Sequence, residues 1–358
     1  MSIVLGPGAI AVEAIDPAAI DAGIAAHYGD PLREQRVLAT AVGLVDRGNR
    51  GVVAIPGEDR LTWLHSLTTQ HLSGLTPLSG TELLVLSPHG NVEQNAVVLD
   101  DGSTTWLDVE PGTSGALLDF LNRMRFLMRV EPTDRGADVA VLSLVGPSSV
   151  EALAALSVGV PAAPQVDPVP GPKFASGSVP PGPTTRYAAV QLPGGGHVRA
   201  MSYGYDLLVP RSGVPGLVAA AGVPLAGLWA FEALRVADRR PRLGFDTDHR
   251  TLPAEVGWLA GAVHLDKGCY RGQETVARVH HLGRPPRRLV LVHLDGASDE
   301  LPAPGTAVTT VEGRSVGVTG TAAHHYELGP IALALVKQNV PVDAALRIGS
   351  MAAAIDPG

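Results

Sequence analysis

Cysteine is almost absent from this chain of 358 residues: Cys269 stands alone. A disulfide within the chain is therefore impossible, as is a zinc or iron–sulfur site built from several of its own thiolates. A solitary thiol fits a reducing compartment. Lysine is nearly as scarce. Lys173, Lys267 and Lys337 are the only three, so 24 of the 27 basic residues are arginine. Aromatics amount to 5 Phe, 4 Trp and 6 Tyr, and 35 acidic residues give a formal net charge of −8. Such a chain lacks the cationic surface and the stacking platforms of a general nucleic-acid binder. No stretch reaches the ~18 consecutive apolar residues of a membrane-spanning helix. Residues 1–16 lack the basic start of a signal peptide. The expectation is a cytoplasmic protein with a short N-terminal lead-in.

What the sequence does contain is core-forming material. Hydrophobic residues make up 45 % and charged residues 17 %, which excludes a disordered chain. The 42 glycines and 30 prolines mark a loop-rich fold without a collagen period. The length predicts two or three domains. Strands are expected at 42–45, 51–55, 83–86, 95–99, 104–109, 139–144, 187–192 and 198–209. Helices are expected from Asp59, as N-cap, through Leu67; over 114–128, with Leu117, Leu118, Leu121, Met124 and Leu127 facing inward; over 148–156, capped by Ser148 or Ser149; and over 225–237. Eight prolines between Pro161 and Pro183 read as a surface insertion. Short strands at 288–294, 307–311, 314–319 and 331–336 suit a small antiparallel barrel. Strands and helices without βαβ regularity predict an α+β fold.

The chemistry concentrates in Lys267-Gly268-Cys269-Tyr270-Arg271-Gly272-Gln273-Glu274, followed by Val276-Ala277-Arg278. Glycines on both sides permit tight turns around the thiol. Lys267 and Arg271 would favour a thiolate by proximity, making Cys269 a nucleophile, a metal ligand or a redox group. A small buried hydrophobe in a turn is the other reading of the same residue.

This segment resembles the signature of the YgfZ proteins, folate-binding relatives of the glycine-cleavage T-protein and of mitochondrial Iba-type assembly factors. The resemblance extends to Val53-Ala54-Ile55-Pro56-Gly57-Glu58-Asp59 with Trp63-Leu64, to Tyr203-Gly204-Tyr205-Asp206, to Pro253 with Glu255, and to the C-terminal strands. It implies a three-lobed, T-protein-like cloverleaf around a central folate channel, closed by a C-terminal antiparallel β-barrel. The implied division is a lead-in at 1–26, a first folate-binding lobe at 27–140, a second lobe at 141–283 with the insertion at 159–186, and the barrel at 284–358. It further implies tetrahydrofolate or a derivative as cofactor and a role in iron–sulfur cluster assembly or repair, with client or assembly proteins as partners. Neither nucleic acid nor membrane is an expected partner. Cys269 would carry the function and Lys267 would tune it, while Tyr270, Gln273, Glu274, Arg278, Glu255 and Glu93 would shape or face the folate site.

Two departures weigh against aminomethyl transfer. The stretch where T-proteins carry paired aspartates reads His89-Gly90-Asn91-Val92-Glu93-Gln94 here, leaving Glu93 as the carboxylate available for proton management. The Arg-x-Glu-Ala-Gly element appears as Arg235-Val236-Ala237-Asp238-Arg239, without its glutamate. Aminomethyl or other one-carbon transfer to tetrahydrofolate remains the alternative function. One thiol cannot hold a stable cluster, which needs about four ligands; a transient cluster, a cluster shared between chains, or thiol chemistry on a client stays open. His280-His281 and His324-His325 are read as strand neighbours on opposite faces and so poor chelators, with His280 a candidate to face the channel. Gly194-Gly195-Gly196 is read as a hairpin turn, and Arg239-Arg240 or Arg287-Arg288 as a possible anchor for a folate carboxylate.

Overall fold

The computed structural model describes residues 6–16, 19–169, 183–297 and 299–358. Residues 170–182, the middle of the proline-rich stretch, lie outside the described residues, so the insertion expected there is not placed. One flank of it, Gln165–Val166, pairs with Thr185–Gln191.

A 12-stranded sheet forms the body. Its path runs Leu225–Ala226, Gly43–Asp46, Val139–Val145, Gly204–Pro210, His197–Met201, Thr185–Gln191, Ser79–Leu86, Val92–Asp100, Thr104–Val109, Gly51–Pro56 and Thr133–Asp134. Two short registers join its halves: Tyr187 lies opposite Gly80, and Ala188 opposite Ser79. Each half closes over its own core. Val53, Leu64, Leu83, Leu107 and Leu121 fill one; Leu44, Leu142, Leu144 and Leu207 fill the other. Each fully buried side chain of this size contributes roughly 1.5–3 kcal/mol.

The C-terminal expectation of an antiparallel barrel holds. Arg287–Leu294, Gly329–Lys337, Ser315–His325, Ala307–Thr310, Leu346–Ile348 and Met351–Ile355 close on one another. The last two strands were not expected from sequence. Leu346–Ile348 is only three residues long, and Met351–Ile355 is alanine-rich, a composition with weak strand preference. Pairing with residues far away in the chain decides them: Val292 sits opposite Ile355, and Val308 opposite Ile348. Among the described residues, no helix is long and apolar enough to cross a membrane.

Several local expectations are corrected. The helix predicted over 114–128 ends at Arg123. Leu127 does not face inward; it is 98 % exposed. The chain turns because Trp63 Nε1 donates to the Met124 carbonyl at 2.9 Å and Arg129 is drawn to Asp59. For the same reason Asp59, although at the N-cap position of Arg60–Leu67, does not cap it; its carboxylate accepts from the Arg129 amide and guanidinium, both at 2.8 Å. Neither Ser148 nor Ser149 caps the Ser149–Ala155 helix, and Ser149 Oγ donates to the Gly146 carbonyl instead. The strand read over 198–209 is a hairpin, His197–Met201 and Gly204–Pro210. Leu225–Ala226 is a strand parallel to Gly43–Asp46, so the following helix is Leu228–Ala237. His280 and His281 lie on the helix Gln273–Leu282, not in a strand, which removes the strand geometry from the chelation argument.

Candidate functional site: a signature loop and a cavity

Lys267 ties the signature loop to the first half of the sheet. Its ammonium donates to the carbonyls of His65, Thr68 and Gln70. The first two are at the C-terminal end of the Arg60–Leu67 helix, where a cation complements both the free carbonyls and the helix dipole. Three donors meet three acceptors, so none is left for the Cys269 sulfur. Burial pulls the ammonium down to about 7. Gln273 Nε2 donates back to the Lys267 carbonyl at 3.2 Å, and the ammonium stands 5.1 Å from the buried Tyr270 ring. Gly272 adopts φ +82° and passes so close to the 87–90 turn that a Cβ would meet the Ser87 oxygen at 2.6 Å and the Gly90 Cα at 2.8 Å. Arg271 pairs with Glu93 at 3.2 Å on the surface. The structure thus brings together two motifs 180 residues apart and leaves the thiol of Cys269 exposed on the loop between them.

The Lys267 anchor is surrounded by imidazoles. The His65 and His71 rings are 4.7 Å apart, and His71 and His264 are 5.2 Å apart. Burial, followed by repulsion from Lys267 and the other two histidines, pushes His65 down to about 4. The unfolded chain binds a proton at His65 from about pH 6.5, and the folded chain only near 4. The stability that His65 contributes is therefore present above pH 6.5 and is lost as pH falls from there toward 4. His65→Asn, which keeps an acceptor for the Leu72 amide, should flatten the fall of the urea midpoint across this window. An unchanged slope would reject the assignment. Among the described residues, no group of three or more His, Cys, Asp and Glu side chains could hold a metal ion.

A cavity of about 310 Å³ opens between the sheet and the Leu228–Ala237 helix. Register fixes one of its walls. Leu84 lies opposite Asn95 and Glu82 opposite Val97, so all four share one face of the sheet. Tyr203, Phe231, Arg240 and Trp258 line the other sides. Arg240 stacks over Tyr203 at 4.7 Å and Phe231 at 5.6 Å.

A ladder of buried ion pairs runs along the cavity, which Asp21, Arg50, Glu110, Glu232 and Arg242 help to line. Arg199, with 0 % side-chain exposure, bridges Asp108 at 2.8 Å and Asp206 at 3.0 Å. Arg50 meets Glu110 at 2.8 Å, and Arg242 meets Glu110 at 2.8 Å, Asp21 at 2.9 Å and Glu232 at 3.1 Å. Burial alone would raise the Glu110 and Glu232 carboxyls, but the neighbouring arginines outweigh it and hold both at about 2. Glu82 differs. Its hydrogen-bond partner is the Tyr187 hydroxyl at 2.6 Å, and burial pushes its carboxyl up. Three polar atoms of cavity-lining residues have no hydrogen-bond partner: Arg50 Nε, Asn95 Nδ2 and Arg240 Nε.

Residues 27–164 match the model of the GCVT N-terminal domain. Over these residues the chain resembles the GcvT proteins. The fold of this chain superposes on the glycine cleavage system aminomethyltransferase T of Bartonella henselae with a TM-score of 0.78, covering 97 % of this chain and 92 % of that one, at 16 % identity. In sequence it is 27 % identical over 285 residues to a putative chloroplastic transferase of Arabidopsis thaliana, covering 77 % of this chain and 60 % of that protein's length. It is 27 % identical over 280 residues to the aminomethyltransferase of Symbiobacterium thermophilum, covering 75 % and 72 %. Over 123 residues it is 36 % identical to the human mitochondrial iron–sulfur cluster assembly factor IBA57, covering 33 % of each.

None of the eight site residues expected from sequence lines the cavity. Cys269, Glu274 and Arg278 are exposed. Glu93 faces solvent with Arg271. Glu255 is buried, accepts from the Leu252 amide at 2.9 Å and pairs with Arg287 at 2.8 Å, joining the approach of the signature to the first barrel strand. Of the two arginine pairs considered as anchors, Arg239-Arg240 reaches the cavity. Glu82, Asn95, Tyr203 and Trp258 were missed as site residues. A signal for Asn95 was available: it stands two residues past Glu93 in one strand, where alternation puts the two on the same face.

Proposed function

We propose that the cavity holds tetrahydrofolate or a derivative, and that the chain is a YgfZ-like accessory in the assembly or repair of iron–sulfur clusters in client proteins, with Cys269 as its working thiol. The observation that carries the folate reading is the open polar set on the cavity wall. Asn95 Nδ2 has no hydrogen-bond partner, Arg240 Nε has only a long ion pair with Asp238 at 3.5 Å, and Glu82 lines the same cavity. A pterin edge alternates donors and acceptors that an amide and a carboxyl can match, and a guanidinium suits a carboxylate tail. The volume lies in the range of small-molecule sites, about 300–1,000 Å³. Bound there, the folate would supply a reduced ring able to carry a one-carbon unit. The protein would bind and orient it, and Glu82, raised by burial, would hold a proton at its carboxyl.

The thiol reading is supported by the exposure of Cys269 on a loop anchored at Lys267 and Gly272. An exposed single thiol suits transient ligation or exchange with a client rather than resident cluster binding. We assign this work to the cytoplasm, a reducing compartment that keeps such a thiol free.

Calorimetry with tetrahydrofolate tests the shared basis. Wild type should bind, and Asn95→Leu should weaken binding by about 30-fold, the cost of roughly 2 kcal/mol for removing a buried hydrogen-bond partner. No binding by wild type would end the folate reading. A second reading, one-carbon transfer from an aminomethyl donor, is favoured by the Glu82 carboxyl at the cavity wall, which burial pushes up. It expects folate-dependent turnover that Glu82→Gln removes while folate binding persists.

A further inference from the structure

Away from the cavity, the turn after the Ser114–Arg123 helix places its largest apolar side chains in solvent. Leu127 is 98 % exposed and Phe126 79 % exposed. Phe126 adopts φ +44°, a region that bulky L residues avoid. The turn is nonetheless tightly bonded. The Met128 amide donates to the Arg125 carbonyl at 2.9 Å, and the Val130 amide to the Met128 carbonyl at 3.0 Å. Trp63 holds the Met124 carbonyl and Asp59 holds Arg129, while Gly57 leaves room for the Arg129 carbonyl where a Cβ would collide. Among the described residues, the ion pairs of this turn are those of Arg129 with Glu58 and Asp59. Arg123 and Arg125 are exposed and keep their charge for solvent, on a chain whose net charge is −8.

We propose that the 123–129 turn is a docking hook for a protein partner that offers an apolar cleft rimmed by carboxylates. The bonding pattern pre-organises Phe126 and Leu127, which lowers the ordering cost of inserting them into such a cleft. Arg123 and Arg125 complement an acidic rim and disfavour a basic one. A second copy of the chain fits less well, because a two-fold contact through the hook would set these arginines against their own symmetry mates. A bilayer fits less well too, because two side chains expose too little apolar area for stable anchoring without a second signal.

The test places a photo-reactive benzophenone amino acid at Phe126 in the full-length chain, in the cells that produce it, with Val342 as an exposed control position. The expected result is one discrete protein adduct from position 126 and not from 342, whose cross-linked peptide carries apolar residues flanked by Asp or Glu. With that partner purified, Leu127→Asp and Arg125→Glu should each raise Kd by about tenfold. Added salt should weaken the wild-type complex more than that of Arg125→Glu. Both substitutions fall on exposed side chains, so unchanged thermal melting checks that the variants remain folded. An adduct with a second copy of the chain, flotation of wild type with phosphatidylglycerol vesicles, an adduct insensitive to both substitutions, or no adduct would each overturn the proposal.

Discussion

Cys269→Ser is expected to fold like wild type, bind tetrahydrofolate with unchanged affinity, and fail to restore cluster-dependent enzymes in cells deleted for their own relative of this chain. The substitution exchanges one exposed sulfur for oxygen. It removes no packing, since the loop is held by Lys267 to the His65, Thr68 and Gln70 carbonyls and by the Gly272–Gly90 approach. A serine hydroxyl neither ligates iron nor exchanges with a disulfide under these conditions. Cluster-dependent activity in the extract should therefore fall to the level of the deletion strain. Full rescue by the serine variant would remove the thiol from the mechanism. Loss of rescue together with loss of folate binding would instead point to a folding defect.

The largest effect on stability is expected at Arg199. Its guanidinium, wholly enclosed, bridges Asp108 and Asp206. Asp206 also accepts from Ser143 and Tyr203, and Asp108 also meets Arg50. Arg199→Met keeps much of the volume but leaves both carboxylates short of a countercharge. Breaking a buried pair in this way costs about 3–5 kcal/mol, which corresponds to a drop in Tm of about 10 °C for a domain of this size. Arg199→Lys should lose less, because charge is retained while the two-pronged geometry is not. Asp108→Asn in the Arg199→Met background should recover part of the loss, since neighbours in one network are not additive. Thermal unfolding of the four proteins decides it. A Tm within 2 °C of wild type for Arg199→Met would mean that the ladder carries little net stability, about 1 kcal/mol or less.

Strand alternation and turn chemistry were enough to read the strand cores of the barrel, such as 288–294 and 331–336, and most strands of the main sheet. Those segments bury one face whatever the partner, so apolar periodicity survives without knowledge of the neighbour. Misreadings fell where a distant residue outbids the local preference. Asp59 sits where a cap belongs, yet Arg129, 70 residues on, takes its carboxylate. Leu127 continues a helical spacing, yet the chain has already turned at Met124.

The site divides in the same way. The unusual Lys267–Glu274 segment, the single thiol and the missing aspartates at 89–94 were legible from the sequence alone, because they depend on residue identity and spacing. Which side chains wall the cavity was decided only by the tertiary structure. Asn95 and Glu82 share a face because of the register between Ser79–Leu86 and Val92–Asp100. Tyr187 reaches Glu82 because a seam two residues long joins the halves of the sheet. Lys267 turns to a helix end 200 residues earlier in the chain, where three carbonyls await its charge. Hydrogen-bond satisfaction inside a folded chain is settled by whatever comes within 3 Å, and nearness in sequence has no part in that.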